Sequence, residues 1–161
     1  MAIEIERKFL VAHDGWRGRA TGSDRLHDGL LSSGGTNKVR VRRGSRTAWL
    51  TVKGPKSGIA RDEFEYEIPL ADADEMLARR CHGPIIERVR FLVPEGVHLW
   101  TVDVFGGPLE GLIVAELELD HEAVPFERPA WVGMEITHDR RYGSAALLLA
   151  AAQNGPVPWR D

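Results

Sequence analysis

The sequence predicts a mainly β (α+β) fold: a closed eight-stranded antiparallel β-barrel with a few flanking helices. Charged and apolar residues alternate in many short runs along the chain, which is typical of strands whose two faces meet different environments. Glycine or proline separates many of these runs and marks turns between short strands. Eight antiparallel strands can close into a barrel around side chains or one small ligand. We expect residues 1–161 to form a single domain of this kind.

The alternating runs place eight strands along the chain. They are expected at Ile3–Leu10, Arg25–Ser32, Lys38–Arg43, Thr47–Lys53, Asp62–Pro69, Ile85–Val93, His98–Phe105 and Leu112–Asp120. A ninth, short extended segment is expected at Val132–Thr137. The segment around Gly44 suits a hairpin that joins the third and fourth strands.

Two helices are expected between and after these strands. Ala71–Arg80 has Asp72 or Asp74 available as an N-cap, and it should lie against the outside of the sheet. Ser144–Gln153 is rich in alanine and leucine and is followed by Asn154-Gly155-Pro156, a stop signal. Because this second helix is apolar over most of its surface, it must pack against a barrel mouth or a partner subunit. The sequence is therefore compatible with a homodimer but does not require one.

The first strand carries a pattern that suits metal and anion binding. Glu4, Glu6 and Lys8 share one face of the strand, because side chains switch faces at every residue. Two carboxylates on one face can converge on a divalent cation, which prefers oxygen ligands. Lys8 is then placed to touch an anion that the metal holds. The alternative for a single strand is an ordinary solvent-exposed face.

Charged residues recur on one face of the later strands. The residues concerned are Arg40, Arg42, Lys53, Arg61, Glu63, Glu65, Glu67, Arg88, Arg90, Asp103, Glu116, Glu118 and Asp120. Arginine is suited to bidentate contact with phosphate, and two Arg-x-Arg pairs occur in this set. An antiparallel sheet with one solvated polar face remains an alternative. A charged barrel interior would be costly if dry, and it becomes reasonable when water, metal ions and a polyanion fill it.

Composition excludes several other classes of protein. A net charge of −3 argues against a general binder of nucleic acid or of membrane surfaces. The single cysteine, Cys81, excludes an internal disulfide and fits a reducing cytoplasm. No apolar run approaches the length of a membrane-spanning helix. We therefore expect a soluble cytoplasmic protein that binds a small molecule.

Motifs along nearly the whole chain resemble those of a known family. They are Glu4-Ile5-Glu6-Arg7-Lys8, Val39-Arg40-Val41-Arg42, Leu50-Thr51-Val52-Lys53-Gly54, Arg61-Asp62-Glu63-Phe64-Glu65-Tyr66-Glu67-Ile68-Pro69, Ile86-Glu87-Arg88-Val89-Arg90, Trp100-Thr101-Val102-Asp103, Ala115-Glu116-Leu117-Glu118-Leu119 and Gly133-Met134-Glu135-Ile136-Thr137-His138-Asp139. In this order they resemble the CYTH superfamily, the triphosphate tunnel metalloenzymes. Two features depart from the pattern. Arg88 stands where many members carry a lysine, and Tyr142-Gly143-Ser144 stands where many members have Tyr-x-Asn.

The resemblance implies an eight-stranded tunnel that hydrolyses or rearranges triphosphates with Mg²⁺ or Mn²⁺. The metal ligands it implies are Glu4, Glu6, Glu116 and Glu118, with Asp103 at a second metal ion or positioning the attacking water. The phosphate-binding residues it implies are Lys8, Arg40, Arg42, Lys53, Arg88 and Arg90. The catalytic groups would be Glu4 or Asp103 as proton acceptor, with Lys8 beside the anion.

The resemblance is greatest to bacterial inorganic triphosphatases, which implies hydrolysis of tripolyphosphate to diphosphate and phosphate. Thiamine triphosphatase and class IV adenylate cyclase activities belong to the same family and stay open as alternatives. A non-catalytic module that binds polyphosphate or a nucleotide is a further alternative, as is a structural barrel whose charges pair internally.

Overall fold

Eight strands close into an antiparallel barrel in the computed structural model, which describes residues 2–32, 34–153 and 159. The strands are β1 (Ile3–Val11), β2 (Gly22–Ser32), β3 (Lys38–Arg43), β4 (Ala48–Lys53), β5 (Ala60–Ile68), β6 (His82–Glu95), β7 (His98–Phe105), β8 (Ile113–Glu118) and β9 (Val132–Glu135). Neighbours follow the order β5-β4-β3-β2-β6-β7-β8-β1, and β1 pairs back onto β5. The predicted closed eight-stranded barrel is confirmed, with β9 added beside β1.

Pairing between strands brings the charged faces to the inside of the barrel. Opposite residues of an antiparallel pair share one face of the sheet. Glu6 is opposite Glu118, and Lys8 is opposite Glu116, across β1 and β8. Arg90 is opposite Asp103 across β6 and β7. The register thus gathers on the inner wall residues that are far apart in the sequence.

The apolar residues lie outside this charged interior, between the barrel wall and the segments that cover it. Phe9, Trp16, Trp100 and Trp131 belong to one hydrophobic cluster, and each is at most 3% exposed. The ring centroids of Trp100 and Phe9 are 5.6 Å apart. Burial of these large side chains stabilises the wall that carries the inward-facing charges.

Two α-helices cover other parts of the wall: α1 (Leu70–Arg79) and α2 (Ser144–Gln153). α1 packs against the outer face of β3, as predicted. α2 buries Leu147 and Leu148 against Phe105 and Leu112 of the barrel. The sequence left open whether this helix packs against a barrel mouth or a partner subunit, and the structure shows packing against the barrel.

Some local expectations were wrong. The N-cap of α1 is Pro69, without a side-chain hydrogen bond, whereas Asp74 accepts a hydrogen bond from Arg43 Nε at 3.1 Å. β6 extends through Pro84 and Pro94 beyond its expected limits, because β2 and β7 pair with its two ends. The expected stop at Asn154-Gly155-Pro156 lies outside the described residues.

Three short 3₁₀ segments were not predicted, at Asp14–Arg19, Gly107–Leu109 and Arg140–Tyr142. Each is too short to show a helical repeat of apolar residues. The two α-helices are the longest helical segments of the described chain, and neither is long enough to span a membrane.

Candidate active site

The inner wall of the barrel encloses a central cavity of about 670 Å³. Its lining includes the predicted residues Glu4, Glu6, Lys8, Arg40, Arg42, Lys53, Arg88, Arg90, Glu116 and Glu118. Asp103 lies directly behind this lining, where it is completely buried and contacts Arg88 and Arg90. The structure therefore brings all of the predicted site residues together.

Glu4 lies between two cationic side chains in this cavity. Its Oε1 is 2.9 Å from Lys53 Nζ, and its Oε2 accepts a hydrogen bond from Arg61 Nε at 2.6 Å. Burial alone would raise the pKa of Glu4, but Lys53 and Arg61 outweigh it and lower that pKa to about 2. Glu4 therefore stays ionised at any pH at which the protein is expected to work.

Glu6 and Glu116 are both bound to Lys8. The Lys8 Nζ is 3.3 Å from Glu6 Oε1 and 3.0 Å from Glu116 Oε1. Glu116 also accepts a hydrogen bond from Arg90 Nη2 at 2.8 Å. Burial alone would raise the pKa of Glu116, but Lys8 and Arg90 hold it well below its usual range. The ammonium of Lys8 thus links β1 to β8 at the centre of the cavity.

Asp103 orients Arg90 by a bidentate contact. Arg90 donates from Nε to Oδ1 and from Nη2 to Oδ2, each at 2.7 Å. Arg88 Nη1 lies 3.1 Å from Asp103 Oδ2. Paired hydrogen bonds of this kind fix the plane of a guanidinium group. Asp103 therefore acts in this structure as a support for two predicted phosphate-binding arginines.

Arg40 has the weakest contacts among these arginines. Its Nη2 is 3.3 Å from Thr51 Oγ1 and 3.5 Å from Glu65 Oε2. Its Nε is buried and finds no hydrogen-bond partner in the described part of the chain. Burial, followed by the neighbouring Arg42, lowers the pKa of Arg40 to about 10. A cation in this condition is well suited to receive an anion.

Glu118 is the one predicted metal ligand for which no ion pair occurs within the described residues. Burial, followed by the carboxylates of Glu4 and Glu6, raises the pKa of Glu118. This concentration of negative charge is an environment that a hard divalent cation would relieve. Carboxylate oxygens of this kind are donors that suit a hard divalent cation.

In this conformation the carboxylates are engaged by lysine and arginine. Within the described part of the chain, no three His, Cys, Asp or Glu side chains are gathered closely enough to hold a metal ion. Glu4, Glu6 and Glu116 instead contact Lys53, Arg61 and Lys8, as the distances above show.

Several residues of the site were not predicted from the sequence. Arg61, Glu63 and Glu65 line the central cavity from β5. The alternation of charged and apolar residues in that strand does predict their shared face, and this signal could have assigned them to the site. Asp28 of β2 was missed altogether, because it is a single carboxylate whose neighbours two positions away on the same face, Leu26 and Leu30, are apolar.

A second cavity, of about 700 Å³, adjoins the central one, since Glu6, Lys8 and Arg61 line both. Lys38 and Lys56 also line this second cavity. Burial, followed by repulsion from Arg61, lowers the pKa of Lys38. The cationic character of the site therefore continues beyond the central cavity.

Comparison with known proteins gives consistent matches. The model of the CYTH domain family matches residues 2–148. An inorganic triphosphatase of Acetivibrio thermocellus is 40% identical over 148 residues, which are 92% of this chain and 94% of that protein. An inorganic triphosphatase of Nitrosomonas europaea is 35% identical over 154 residues, which are 91% and 97% of the two chains.

A solved structure extends the similarity to three dimensions. A crystal structure of an inorganic triphosphatase superimposes with a TM-score of 0.64 at 33% sequence identity. The match covers 92% of this chain and 96% of that one.

Proposed function

The chain belongs to the CYTH domain family, and on this premise we propose that it is a metal-dependent inorganic triphosphatase. The proposed reaction is the hydrolysis of tripolyphosphate to diphosphate and phosphate in the central cavity. The observation that carries the proposal is the meeting of six predicted cationic residues and four predicted carboxylates in one cavity. They are Lys8, Arg40, Arg42, Lys53, Arg88, Arg90, Glu4, Glu6, Glu116 and Glu118. The names of the similar enzymes support the choice of substrate.

Charge neutralisation explains why a triphosphatase would need such a cavity. Tripolyphosphate carries about four to five negative charges near neutral pH, too many to enter a protein interior without compensation. Six lysine and arginine side chains supply that compensation from the wall of the barrel. Phosphoryl transfer depends mainly on positioning and electrostatic stabilisation, so no covalent nucleophile is required.

Glu4, Glu6, Glu116 and Glu118 would hold Mg²⁺ or Mn²⁺, with Asp103 close to a second ion or to the attacking water. When bound, the metal would polarise the phosphate chain and offset its charge. Lys8 would exchange its present carboxylate partners for phosphate oxygens.

The family resemblance implies Glu4 or Asp103 as acceptor of the proton of the attacking water. Glu4 lines the central cavity and is the better placed of the two, because Asp103 is completely buried behind that lining. Lys53 and Arg61 lower the pKa of Glu4, so it is a weak base while these contacts last. Phosphoryl transfer depends mainly on positioning and electrostatic stabilisation, so its rate need not rest on a strong base. Arg40, with its incomplete set of partners, would bind the phosphate chain most directly.

An inorganic substrate is favoured over thiamine triphosphate or ATP by the absence of an aromatic platform. Within the described residues, the lining of the central cavity contains no Trp, Tyr or Phe. Trp16, Trp100 and Trp131 are buried outside the barrel wall instead. A thiazole or adenine ring would therefore lack a Trp, Tyr or Phe side chain to stack on in the described lining of the central cavity.

Phosphate release from tripolyphosphate, measured with Mg²⁺, with Mn²⁺ and with EDTA, tests the proposal. We expect one orthophosphate and one diphosphate per substrate, and no release in EDTA. Thiamine triphosphate and ATP serve as competing substrates. Binding of tripolyphosphate without release under any condition would instead support the non-catalytic binding module.

Two variants connect that activity with the proposed metal ligands. Glu6→Gln and Glu118→Gln should each lose at least about 100-fold in metal-dependent rate. Glu75→Gln is the matched control, because Glu75 lies on the exposed surface of α1. Near-normal rates in both cavity variants would refute the assignment. We also propose a cytoplasmic setting, since the one cysteine forms no internal disulfide.

A further inference from the structure

Asp28 is a buried carboxylate placed behind the arginines of the central cavity. It lies on β2, opposite Arg42 of β3, and is 5% exposed. Arg42 and Arg88 line the central cavity, whereas Asp28 does not. Its position therefore allows contact with the two arginines rather than with a bound anion.

The contacts of Asp28 fix the orientation of Arg42. Arg42 donates from Nε to Asp28 Oδ1 at 2.7 Å and from Nη2 to Asp28 Oδ2 at 2.8 Å. This bidentate arrangement restrains the guanidinium plane. The Nη1 group remains as the donor of Arg42 that Asp28 does not occupy.

Arg88 is restrained from three directions, one of which is Asp28. Its Nη2 donates to Asp28 Oδ2, and its Nη1 lies 3.1 Å from Asp103 Oδ2. Its guanidinium carbon is 5.3 Å from the ring centroid of Phe105. The Nε of Arg88 is buried and has no hydrogen-bond partner among the residues that the structure describes. Removal of Asp28 would therefore free one end of a group that is otherwise fixed.

We propose that Asp28 is a positioning residue, which orients the guanidinium groups of Arg42 and Arg88 toward the phosphate chain. This inference rests on the proposed triphosphatase function. The donors of a guanidinium group lie in one plane, so its orientation decides which of them reach an anion. An ammonium group is a point charge and needs no such orientation. Arg88, unlike a lysine at its position, therefore depends on Asp28.

The charge of Asp28 also has a predictable effect on substrate binding. Asp28 offsets part of the repulsion among neighbouring arginines without occupying the central cavity. A neutral side chain at this position would disturb the arginine geometry but would leave the cavity more positive. We expect the more positive cavity to preserve the affinity for a polyanion, while the disturbed arginine geometry lowers the rate of the chemical step.

The test is steady-state hydrolysis of tripolyphosphate by Asp28→Asn, compared with the wild-type protein. We expect kcat to fall about 10- to 100-fold, with KM within about threefold of the wild-type value. In an Arg88→Lys background the same substitution should cost a smaller factor, since a lysine needs no orientation and only the effect through Arg42 remains. Asp28→Glu keeps the charge but displaces both contacts, and should show an intermediate loss.

Asp24→Asn is the matched control, because Asp24 lies on the same strand and accepts its hydrogen bond from the backbone of Ser45. Thermal melts of all variants give their folded fractions. The inference is overturned if Asp28→Asn keeps kcat within about twofold. It is also overturned if the fractional loss is equal in both backgrounds. If the wild-type protein itself releases no phosphate, the proposed function fails, and this inference fails with it.

Discussion

Lys53 and Glu4 form an ion pair across the central cavity, with Lys53 Nζ 2.9 Å from Glu4 Oε1. A residue assigned to phosphate and a residue assigned to metal thus neutralise each other. Lys53 also lies 2.7 Å from Glu63 Oε2, and Arg61 engages the second oxygen of Glu4. Binding of a metal ion and a triphosphate would require these partners to separate, since each cation would turn to phosphate and each carboxylate to metal.

This exchange predicts that metal and triphosphate bind cooperatively. A non-hydrolysable imidotriphosphate should increase the affinity for Mn²⁺ at least about 10-fold, as measured by calorimetric titration. Direct binding of Mn²⁺ to the analogue also contributes to this coupling. A variant is therefore needed to separate that contribution from the contribution of the ion pair. Lys53→Met leaves Glu4 with one cationic partner fewer, and it should reduce the coupling. An unchanged coupling in Lys53→Met would show that the ion pair plays no part.

The lowered pKa of Glu4 predicts a pH-dependent contribution to stability. Folding lowers this pKa from about 4.3 to about 2, so the folded state binds fewer protons between those values and stability rises with pH there. The contribution, about 3 kcal/mol, is complete above about pH 5 and is lost as the pH falls toward 2. Urea unfolding in EDTA should show Glu4→Gln less stable than wild type at pH 7.

The stability gap between Glu4→Gln and the wild-type protein should narrow steadily below pH 5. Glu75→Gln is the control, because Glu75 contacts Arg79 on the exposed surface of α1. The difference in the free energy of unfolding between Glu75→Gln and the wild-type protein should stay nearly constant with pH. A Glu4→Gln gap of the same size at pH 7 and pH 3 would contradict the assigned ion pairs.

The sequence predicts the inward face of each strand, but it does not predict which residues pair across the barrel. Glu4, Glu6 and Lys8 follow from alternation within one strand. The pairing of Glu4 with Lys53 depends on closure of β1 onto β5, which local pattern does not encode. Asp28 could not be found in this way, because its role comes from Arg42 and Arg88 on two other strands. The sequence also could not decide what α2 packs against, because this helix is apolar over most of its surface.

Gly29, next to Asp28, is a site of close approach between β2 and α1. A Cβ atom added there would collide with Cys81 Sγ and would lie 3.0 Å from Leu77 Cδ2. Gly29→Ala should therefore destabilise the protein by about 1–3 kcal/mol, as measured by urea unfolding. Cys81→Ala removes the nearest atom and should restore part of that loss. Gly18→Ala is the control, since its Cβ would meet nothing within 4 Å. Equal effects of the two glycine substitutions would contradict this packing.

Arg40 combines a cost in stability with a role in binding. Its Nε is buried without a partner, and its contacts with Thr51 and Glu65 are long. Because its pKa falls to about 10 on folding, the folded state holds this proton less firmly than the unfolded state does. The charge of Arg40 therefore opposes folding at neutral pH, and this effect fades as the pH rises above 10.

Arg40→Met should accordingly stabilise the phosphate-free protein by about 1–2 kcal/mol and weaken the binding of tripolyphosphate at least about 10-fold. Urea unfolding and calorimetric titration, both in EDTA at pH 7, measure the two changes. Arg46→Met is the control, because Arg46 is exposed and lies outside the lining of the central cavity; it should change neither quantity appreciably. Loss of stability together with unchanged binding would show that Arg40 supports the barrel wall rather than the anion.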